Sequence, residues 1–259
     1  MSATGAPSSP SRRAELVANL AAVRQRIERA CAASGRSPDE LTVVVVSKKF
    51  PVSDLRLLAD LGVTDIGENR DQEAGPKVRE LRDPGPGTGS GRGEGRRTGT
   101  DLAPPPLTVH FVGQLQTNKA GSVVRYADVI HAVDRPRLVT ALETAAARAR
   151  RRPKVLVQVS LDGPGRGGVR PAEAPALASQ IATSAHLELS GVMGVAPLGG
   201  DPDAAFARLR AVAHGIQEQF EGATWISAGM SGDLEAAISN AATHLRVGTA
   251  ILGSRPSLR

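Results

Sequence analysis

Two adjacent lysines stand directly after the most apolar run of the chain. The run "VVVVS" predicts a buried strand, and it leads straight into Lys48 and Lys49. Side chains alternate along a strand, so only one of the two lysines can continue its inner face. A lysine that is partly removed from water, or that lies beside another cation, has a lowered pKa and becomes a usable amine nucleophile. The pattern therefore indicates either an amine able to form a Schiff base with an aldehyde or a pair of solvated loop lysines.

Two turns of small residues near the end of the chain indicate a phosphate site. The segment "SAGMSGDLEAA" leaves a predicted strand at Ser227 and opens a helix, and "RVGTAILG" does the same at Gly248 and Thr249. Backbone N–H groups at helix N-termini, together with the helix dipole, favour an anion, although the glycines could simply make tight turns. An amine and a phosphate cradle together favour a phosphorylated carbonyl compound. Pyridoxal 5′-phosphate (PLP) supplies both an aldehyde and a phosphate.

Eight predicted strands alternate with helical segments and would position these groups. Eight such units in about 250 residues predict a (β/α)8 TIM barrel, with a doubly wound open sheet as the alternative. In a barrel the chemistry lies at the C-terminal ends of the strands, where both the lysines and the small-residue turns fall. The predicted strands are "LTVVVVS", "VTDIGEN", "LTVHFVG", "DVIHAVD", "PKVLVQVSL", "LELSGVMGV", "ATWIS" and "HLRVG".

The rest of the chain divides into one domain and two low-complexity segments. Residues 1–11 predict a disordered tail, and residues 12–259 a single barrel that begins with an extra N-terminal helix, "RRAELVANLAAVRQRIERACAASG". Residues 83–106 are dense in Gly, Pro and Arg and predict a loop insertion with little to bury.

Composition excludes several classes of protein. The 259 residues hold one cysteine, Cys31, which excludes an internal disulfide and a cysteine-clustered zinc site, and the histidines have no metal-ligand spacing. No apolar run is long enough to span a bilayer, so we expect a cytoplasmic protein. The net charge of +6 and the arginine patches suit a nucleic-acid binder, but aromatic residues make up only 2% of the chain. Solvated arginines explain the charge better.

Six motifs in order make the chain resemble a known family. These are "VSKKFP", "IGEN" followed by "QE", "HFVGQLQTNK", "GVMGV", "SAGMSGDLEAAI" and "RVGTAILG". They resemble the pyridoxal phosphate homeostasis protein family, single barrels similar to the N-terminal domain of alanine racemase (PLP fold type III), from about residue 12 to residue 255. The resemblance implies PLP as cofactor, held as a Schiff base on Lys48. It also implies a set of further cofactor contacts: Asn69 near the ring, Arg246 against the pyridine nitrogen, and Ser227, Gly229, Met230, Ser231, Gly248 and Thr249 at the phosphate.

The same resemblance implies a carrier of PLP without catalytic activity. Racemases of this type use a tyrosine from a following β-domain as second base, whereas the only tyrosine here is Tyr126, predicted on a helix away from the barrel mouth. Arg166 stands where many relatives carry a lysine, so we expect no second cofactor lysine. We therefore expect a monomer that buffers PLP, maintains amino-acid and keto-acid balance, and passes the cofactor to apo forms of PLP-dependent enzymes. The alternatives are a weak racemase or lyase, or a nucleic-acid or protein interaction module using the 83–106 loop.

Overall fold

Eight parallel strands close into a barrel. The computed structural model describes residues 9–82, 107–162 and 167–253. Each strand pairs in parallel with its sequence neighbour, and the last strand pairs with the first. This closure confirms the predicted TIM barrel and rules out the open sheet. The strands are β1 (Thr42–Val46), β2 (Asp65–Glu68), β3 (Thr108–Phe111), β4 (Val129–Val133), β5 (Lys154–Val159), β6 (Glu188–Gly194), β7 (Trp225–Ser227) and β8 (His244–Val247).

Helices surround the barrel and follow each strand. In the described part of the chain they are α1 (Ser9–Ser34), α2 (Val52–Asp60), α3 (Asp71–Arg82), α4 (Ala120–Val123), α5 (Pro136–Ala149), α6 (Ala174–Ala182), α7 (Pro202–Gln217), α8 (Leu234–Ser239) and α9 (Thr249–Leu252). Alternate strand residues, such as Val45 on β1 and Val247 on β8, belong to the large apolar core beneath these helices. Burial of that core drives the two layers together.

The inner face of the barrel is narrow and partly polar. Gly67 on β2 leaves room for its neighbours, because a Cβ there would lie 3.2 Å from Val44 Cγ1 and 3.3 Å from Val46 Cγ2. A small separate cluster of Ala132, Leu156 and Met193 also fills the interior. Three of the five histidines, His110, His131 and His244, are buried on the same face. The site therefore lies above an unusually polar barrel core.

A β-bulge on β4 changes which side chains face inward. Ile130 pairs with Val155 and Val133 with Val157, so three steps along β4 match two along β5. The extra residue lets both His131 and Ala132 face the barrel interior, since a bulge interrupts the alternation of the strand. This irregularity brings an imidazole into the barrel core.

The N-terminal helix α1 packs against α8 and α9, and Arg36, which follows it, adds hydrogen bonds to the end of α8. Arg36 donates to the carbonyl oxygens of Ile238 and Ala242 at 2.9 and 2.8 Å. The buried side of α1 carries residues at helical spacing: Leu16, Leu20, Val23 and Ile27.

The helix start differs from the predicted tail boundary, and some other predictions concern residues that the structure does not describe. The helix begins at Ser9, three residues inside the predicted 1–11 tail, because Ser-Pro at the first turn suits a helix start. Residues 1–8, the 83–106 insertion and Arg166 lie outside the described residues. Within those that are described, no helix is long and apolar enough to cross a membrane.

Candidate functional site

Lys48 stands on the turn at the C-terminal end of β1. It is half-buried and lies two residues after Val46, whose side chain faces the barrel interior. Lys49 is exposed and takes a positive φ of 67°. The structure thus separates the two lysines that strand alternation alone could not distinguish. The prediction that Lys49 is a surface charge is confirmed.

A buried ion pair on the outer side of the sheet holds the residue before Lys48. Glu68 at the end of β2 is fully buried and accepts from Lys77 Nζ at 2.7 Å and from Ser47 Oγ at 2.8 Å. Lys77 also donates to the Ser47 carbonyl at 3.0 Å. Both groups of Ser47 are therefore anchored to one pair of charges, and the backbone enters the Lys48 turn from a fixed point. The spacing of Ser47, Glu68 and Lys77 in the sequence gives no sign of this anchor.

The turns after β7 and β8 lie side by side. The Thr249 hydroxyl donates to Ser231 Oγ at 3.4 Å, and the backbone N–H of Ala250 approaches the same oxygen at 3.4 Å. Ser231 is half-buried and Thr249 is exposed. The structure therefore brings together two predicted phosphate contacts from different strands.

The first of these turns has a constrained backbone. Gly229 has φ 85°, and a Cβ there would lie 2.6 Å from Ala237 Cβ, so only glycine fits. The backbone N–H of Met230 donates to Asp233 Oδ1 at 2.5 Å, and the Met230 side chain is 41% exposed. Asp233, directly before α8, thus closes the turn.

Barrel closure places Lys48 next to the turn after β8. Val44 pairs with Arg246 and Val45 with Val247, so the two strands run in register to their ends. A Cβ on Gly248 would lie 3.3 Å from the carbonyl oxygen of Val46, which shows how closely the backbones approach. The lysine and the small-residue turn, two hundred residues apart in sequence, therefore share one mouth of the barrel.

Asn69 is positioned by a backbone contact with the next strand. It follows β2 and is half-buried. Any Cβ on Gly113, after β3, would lie 2.2 Å from the Asn69 carbonyl oxygen. The glycine therefore allows the two strand ends to touch and sets the position of Asn69 at the mouth.

Arg246 and Ser227 form the buried floor of the site. Arg246 on β8 is 6% exposed and donates to Ser227 Oγ at 2.5 Å and to the Gly194 carbonyl at 2.9 Å. Burial lowers the pKa of Arg246 to about 10, while the negative charge of Asp233 opposes the shift. The guanidinium thus stays protonated at neutral pH, although it is enclosed by the barrel.

A chain of buried hydrogen bonds continues inward from Ser227. The Ser227 hydroxyl lies 2.9 Å from His131 Nδ1, and His131 Nε2 lies 2.8 Å from His110 Nδ1. His110 Nε2 lies 2.8 Å from Asp65 Oδ1 at the opposite end of the barrel. His110 lies within the barrel, and its inward position on β3 was the signal in the sequence.

Tyr126 does not reach the site. It lies in the turn after α4, not on the predicted helix, and packs near Gly75 of α3. Its hydroxyl donates to Asp71 at 3.3 Å, and burial raises its pKa. It therefore occupies the helix layer, as the prediction of a position away from the mouth required. Asn118 and Lys119 belong to a 3-10 turn directly before α4.

No metal site accompanies this arrangement in the described ranges. Among them, no three His, Cys, Asp or Glu side chains come together in a way that could hold a metal ion.

Comparison with known proteins gives consistent matches over nearly the whole chain. The family model described as "Alanine racemase, N-terminal domain" matches residues 18–256. The pyridoxal phosphate homeostasis protein of Mycobacterium tuberculosis is 42% identical over 256 residues, which is 95% of each chain. The protein of the same name from Escherichia coli is 34% identical and covers 93% of this chain and 97% of its own.

Solved structures agree with the sequence matches. PipY of Synechococcus elongatus, solved with PLP bound, superposes with a TM-score of 0.70 at 33% identity, covering 88% of this chain and 99% of that one. Alanine racemase of Corynebacterium glutamicum gives a TM-score of 0.65 at 14% identity and covers 63% of that chain, which supports the fold alone. With its closed barrel and near full-length relatives, this chain belongs to the pyridoxal phosphate homeostasis protein family, built on the alanine racemase N-terminal domain.

Proposed function

We propose that this protein binds PLP at the C-terminal mouth of the barrel and carries it without catalysing a reaction. The observation that carries the proposal is the β1–β8 pairing, which brings the end of β1, where Lys48 follows, next to the turn after β8 that carries Thr249. Thr249 in turn contacts Ser231 of the turn after β7. When bound, PLP supplies an aldehyde that the Lys48 amine can join as a Schiff base with loss of one water. The homologous PipY structure contains PLP.

The donors at this mouth fit the parts of PLP. Hydroxyls on Ser231 and Thr249, with the backbone of the Gly248 turn, suit a phosphate, whereas the backbone N–H of Met230 is already held by Asp233. Asn69 lies on the β2 side of the mouth, where it would contact the ring. The fit leaves one group to explain: Ser227 is fully buried and its hydroxyl already has an inward partner.

Arg246 has a second role in the proposal. Of the five N–H groups of a guanidinium, two are used by Ser227 and Gly194, so others can face the pyridine nitrogen. An arginine that stays protonated disfavours protonation of that nitrogen. This weakens the electron withdrawal on which PLP catalysis depends.

The position of Tyr126 also supports a carrier. The chain has no other tyrosine, and this one is engaged by Asp71 in the helix layer. A racemase needs a second base opposite the lysine, and no tyrosine is available at the mouth to supply it. The relatives are likewise named for PLP homeostasis. We propose delivery of PLP to apo-enzymes as the biological role.

The binding proposal is tested with two adjacent variants. PLP is added to wild type, Lys48→Ala and Lys49→Ala, and the visible absorbance of lysine-linked PLP is recorded before and after borohydride reduction. We expect wild type and Lys49→Ala to give the absorbance, and peptide mapping to find the reduced adduct on Lys48. An unchanged spectrum for Lys48→Ala, or an adduct on another lysine, would overturn the assignment.

The carrier role is tested separately from binding. Loaded protein is mixed with the apo form of a PLP-dependent enzyme, and recovery of that enzyme's activity is compared with recovery in the same total amount of free PLP. Faster recovery supports delivery. Amino-acid racemisation or cleavage by the loaded protein that disappears in Lys48→Ala would instead favour the weak racemase or lyase.

A further inference from the structure

The hydrogen bonds inside the barrel have a single direction. At neutral pH the Asp65 carboxylate can only accept, so His110 must donate to it from Nε2. With a single proton on each imidazole, His110 Nδ1 then accepts from His131 Nε2, and His131 Nδ1 accepts from the Ser227 hydroxyl. Arg246 donates to the Ser227 oxygen and cannot accept. The charges at the two ends therefore fix both histidine tautomers and aim the Ser227 hydrogen inward.

This direction conflicts with phosphate binding by Ser227. A phosphate oxygen accepts hydrogen bonds, so a serine that contacts it must donate its hydrogen. The single hydrogen of Ser227 is held by His131 in the structure described here. Ser227 can donate to a ligand only if His131 becomes the donor to Ser227.

We propose that Asp65, His110 and His131 are positioning residues that couple anion binding at Ser227 to the uptake of one proton at the opposite mouth of the barrel. The inference rests on the proposed PLP site.

The proton balance follows from the chain of hydrogen bonds between Asp65 and Ser227. With the hydroxyl aimed inward, Asp65, His110, His131 and Ser227 carry three protons: one on each Nε2 and one on the serine oxygen. When the chain reverses, both histidines carry their proton on Nδ1, the serine hydrogen faces the ligand, and His110 Nε2 needs a donor. One proton from solvent at the Asp65 carboxyl supplies it, so the reversed chain holds four. The Ser227 oxygen then accepts from Arg246 and His131 and donates once, which satisfies its hydrogen-bonding capacity.

The hydrogen-bond chain is open to solvent at Asp65, as proton entry requires. Asp65 lines a cavity of about 420 Å³ at the N-terminal mouth of the barrel. Burial acts to raise the pKa of Asp65, but hydrogen bonds from His110 and Thr64 hold it below its ordinary value. The charged or titratable groups that line this mouth around Asp65 are His244, Lys154, Arg151, Arg152, Asp128 and Glu188.

The inner part of the chain is closed. His110, His131 and Ser227 each have no exposed surface. His131 faces His110, Arg246 and His244, and burial holds its pKa well below its ordinary value. A positively charged His131 is therefore disfavoured in the interior. The hydrogen-bond chain can reverse only by a shift of tautomers.

The experiment compares two carboxylates at the same mouth. In Asp65→Asn the amide can accept from or donate to His110, so the direction of the hydrogen bonds reverses without an added proton. Glu188→Gln is the matched control, because Glu188 lines the same mouth and pairs with Lys154 at the surface. PLP binding to wild type and both variants is measured by calorimetry in buffers of different ionisation enthalpy, which gives the protons taken up per PLP.

We expect wild type and Glu188→Gln to take up one more proton per PLP than Asp65→Asn. By linkage, wild-type affinity should fall about tenfold more than that of Asp65→Asn for each pH unit above neutrality. Equal proton uptake in all three proteins would overturn the coupling and leave the PLP site intact. Absence of PLP binding in wild type would remove the proposed function as well.

A spectroscopic measurement tests the direction without any ligand. In ¹⁵N spectra of the protein free of PLP, His110 and His131 should both be neutral with the proton on Nε2. On PLP addition, the proton of His131 should move to Nδ1. A proton on Nδ1 of either ring in the free protein would contradict the inference.

Discussion

Removing Lys77 should destabilise the protein much more than removing an exposed cation. In Lys77→Met the methionine occupies similar volume, but the fully buried carboxylate of Glu68 loses its cation. One oxygen of that carboxylate, Oε2, already has no hydrogen-bond partner within the described structure. Breaking a buried pair from one side costs about 3–5 kcal/mol. We expect the free energy of unfolding, measured in urea, to fall by about this amount.

The control and the compensating variant make this prediction sharp. Arg70→Met removes an exposed cation that lies 3.4 Å from Glu73 and should cost less than about 1 kcal/mol. The double variant Lys77→Met, Glu68→Met replaces the pair by apolar groups and should recover most of the lost stability. If Lys77→Met costs no more than Arg70→Met, the pair is solvated and our account of how the Lys48 turn is anchored is wrong.

Three further outcomes follow from the site and its supports. Gly113→Ala forces a methyl group against the Asn69 carbonyl, so it should lower the free energy of unfolding by at least about 1–3 kcal/mol and weaken PLP binding. Gly121→Ala, with open space around its Cβ, should be neutral or stabilising in the same urea titration. Burial lowers the pKa of His244 from 6.5 to about 3, so the unfolded chain binds a proton that the folded chain excludes, and stability should fall as the pH drops between these values. His244→Gln should reduce that slope by about 1.4 kcal/mol per pH unit, and an unchanged slope would contradict the burial argument. Arg26→Ala removes a bidentate pair with Glu235 and a 3.0 Å bond to the Ser231 carbonyl. In dialysis, loaded protein should therefore lose PLP faster than wild type, although borohydride should still fix PLP on Lys48 before dialysis.

The strands and the residues at their ends were predictable because local sequence determines them. Runs of valine and isoleucine followed by polar residues and glycine specified each strand and its C-terminal end. Those ends meet at one face in any parallel barrel. Lys48 and the turn at Gly248 could therefore be assigned to one site before the closure of the barrel was known.

The buried polar contacts were not predictable in the same way. His131 faces inward because of a bulge, and strand alternation alone does not reveal where a bulge occurs. The partners of Glu68 come from the end of β1 and from a helix, and each appears in the sequence as an ordinary polar residue. Such contacts depend on the three-dimensional proximity of side chains that have no common spacing.

Closure of the barrel by its first and last strands also has a consequence for synthesis. Lys48 leaves the ribosome early, whereas Thr249 and the β8 strand that pairs with β1 are made about two hundred residues later. Contacts of such long sequence separation form late in folding because the intervening chain must first be ordered. An incomplete chain therefore carries the reactive amine without the hydroxyls that would retain a phosphate. Only the closed barrel retains PLP tightly. Nascent and truncated chains should therefore not compete with complete protein for a scarce and reactive aldehyde.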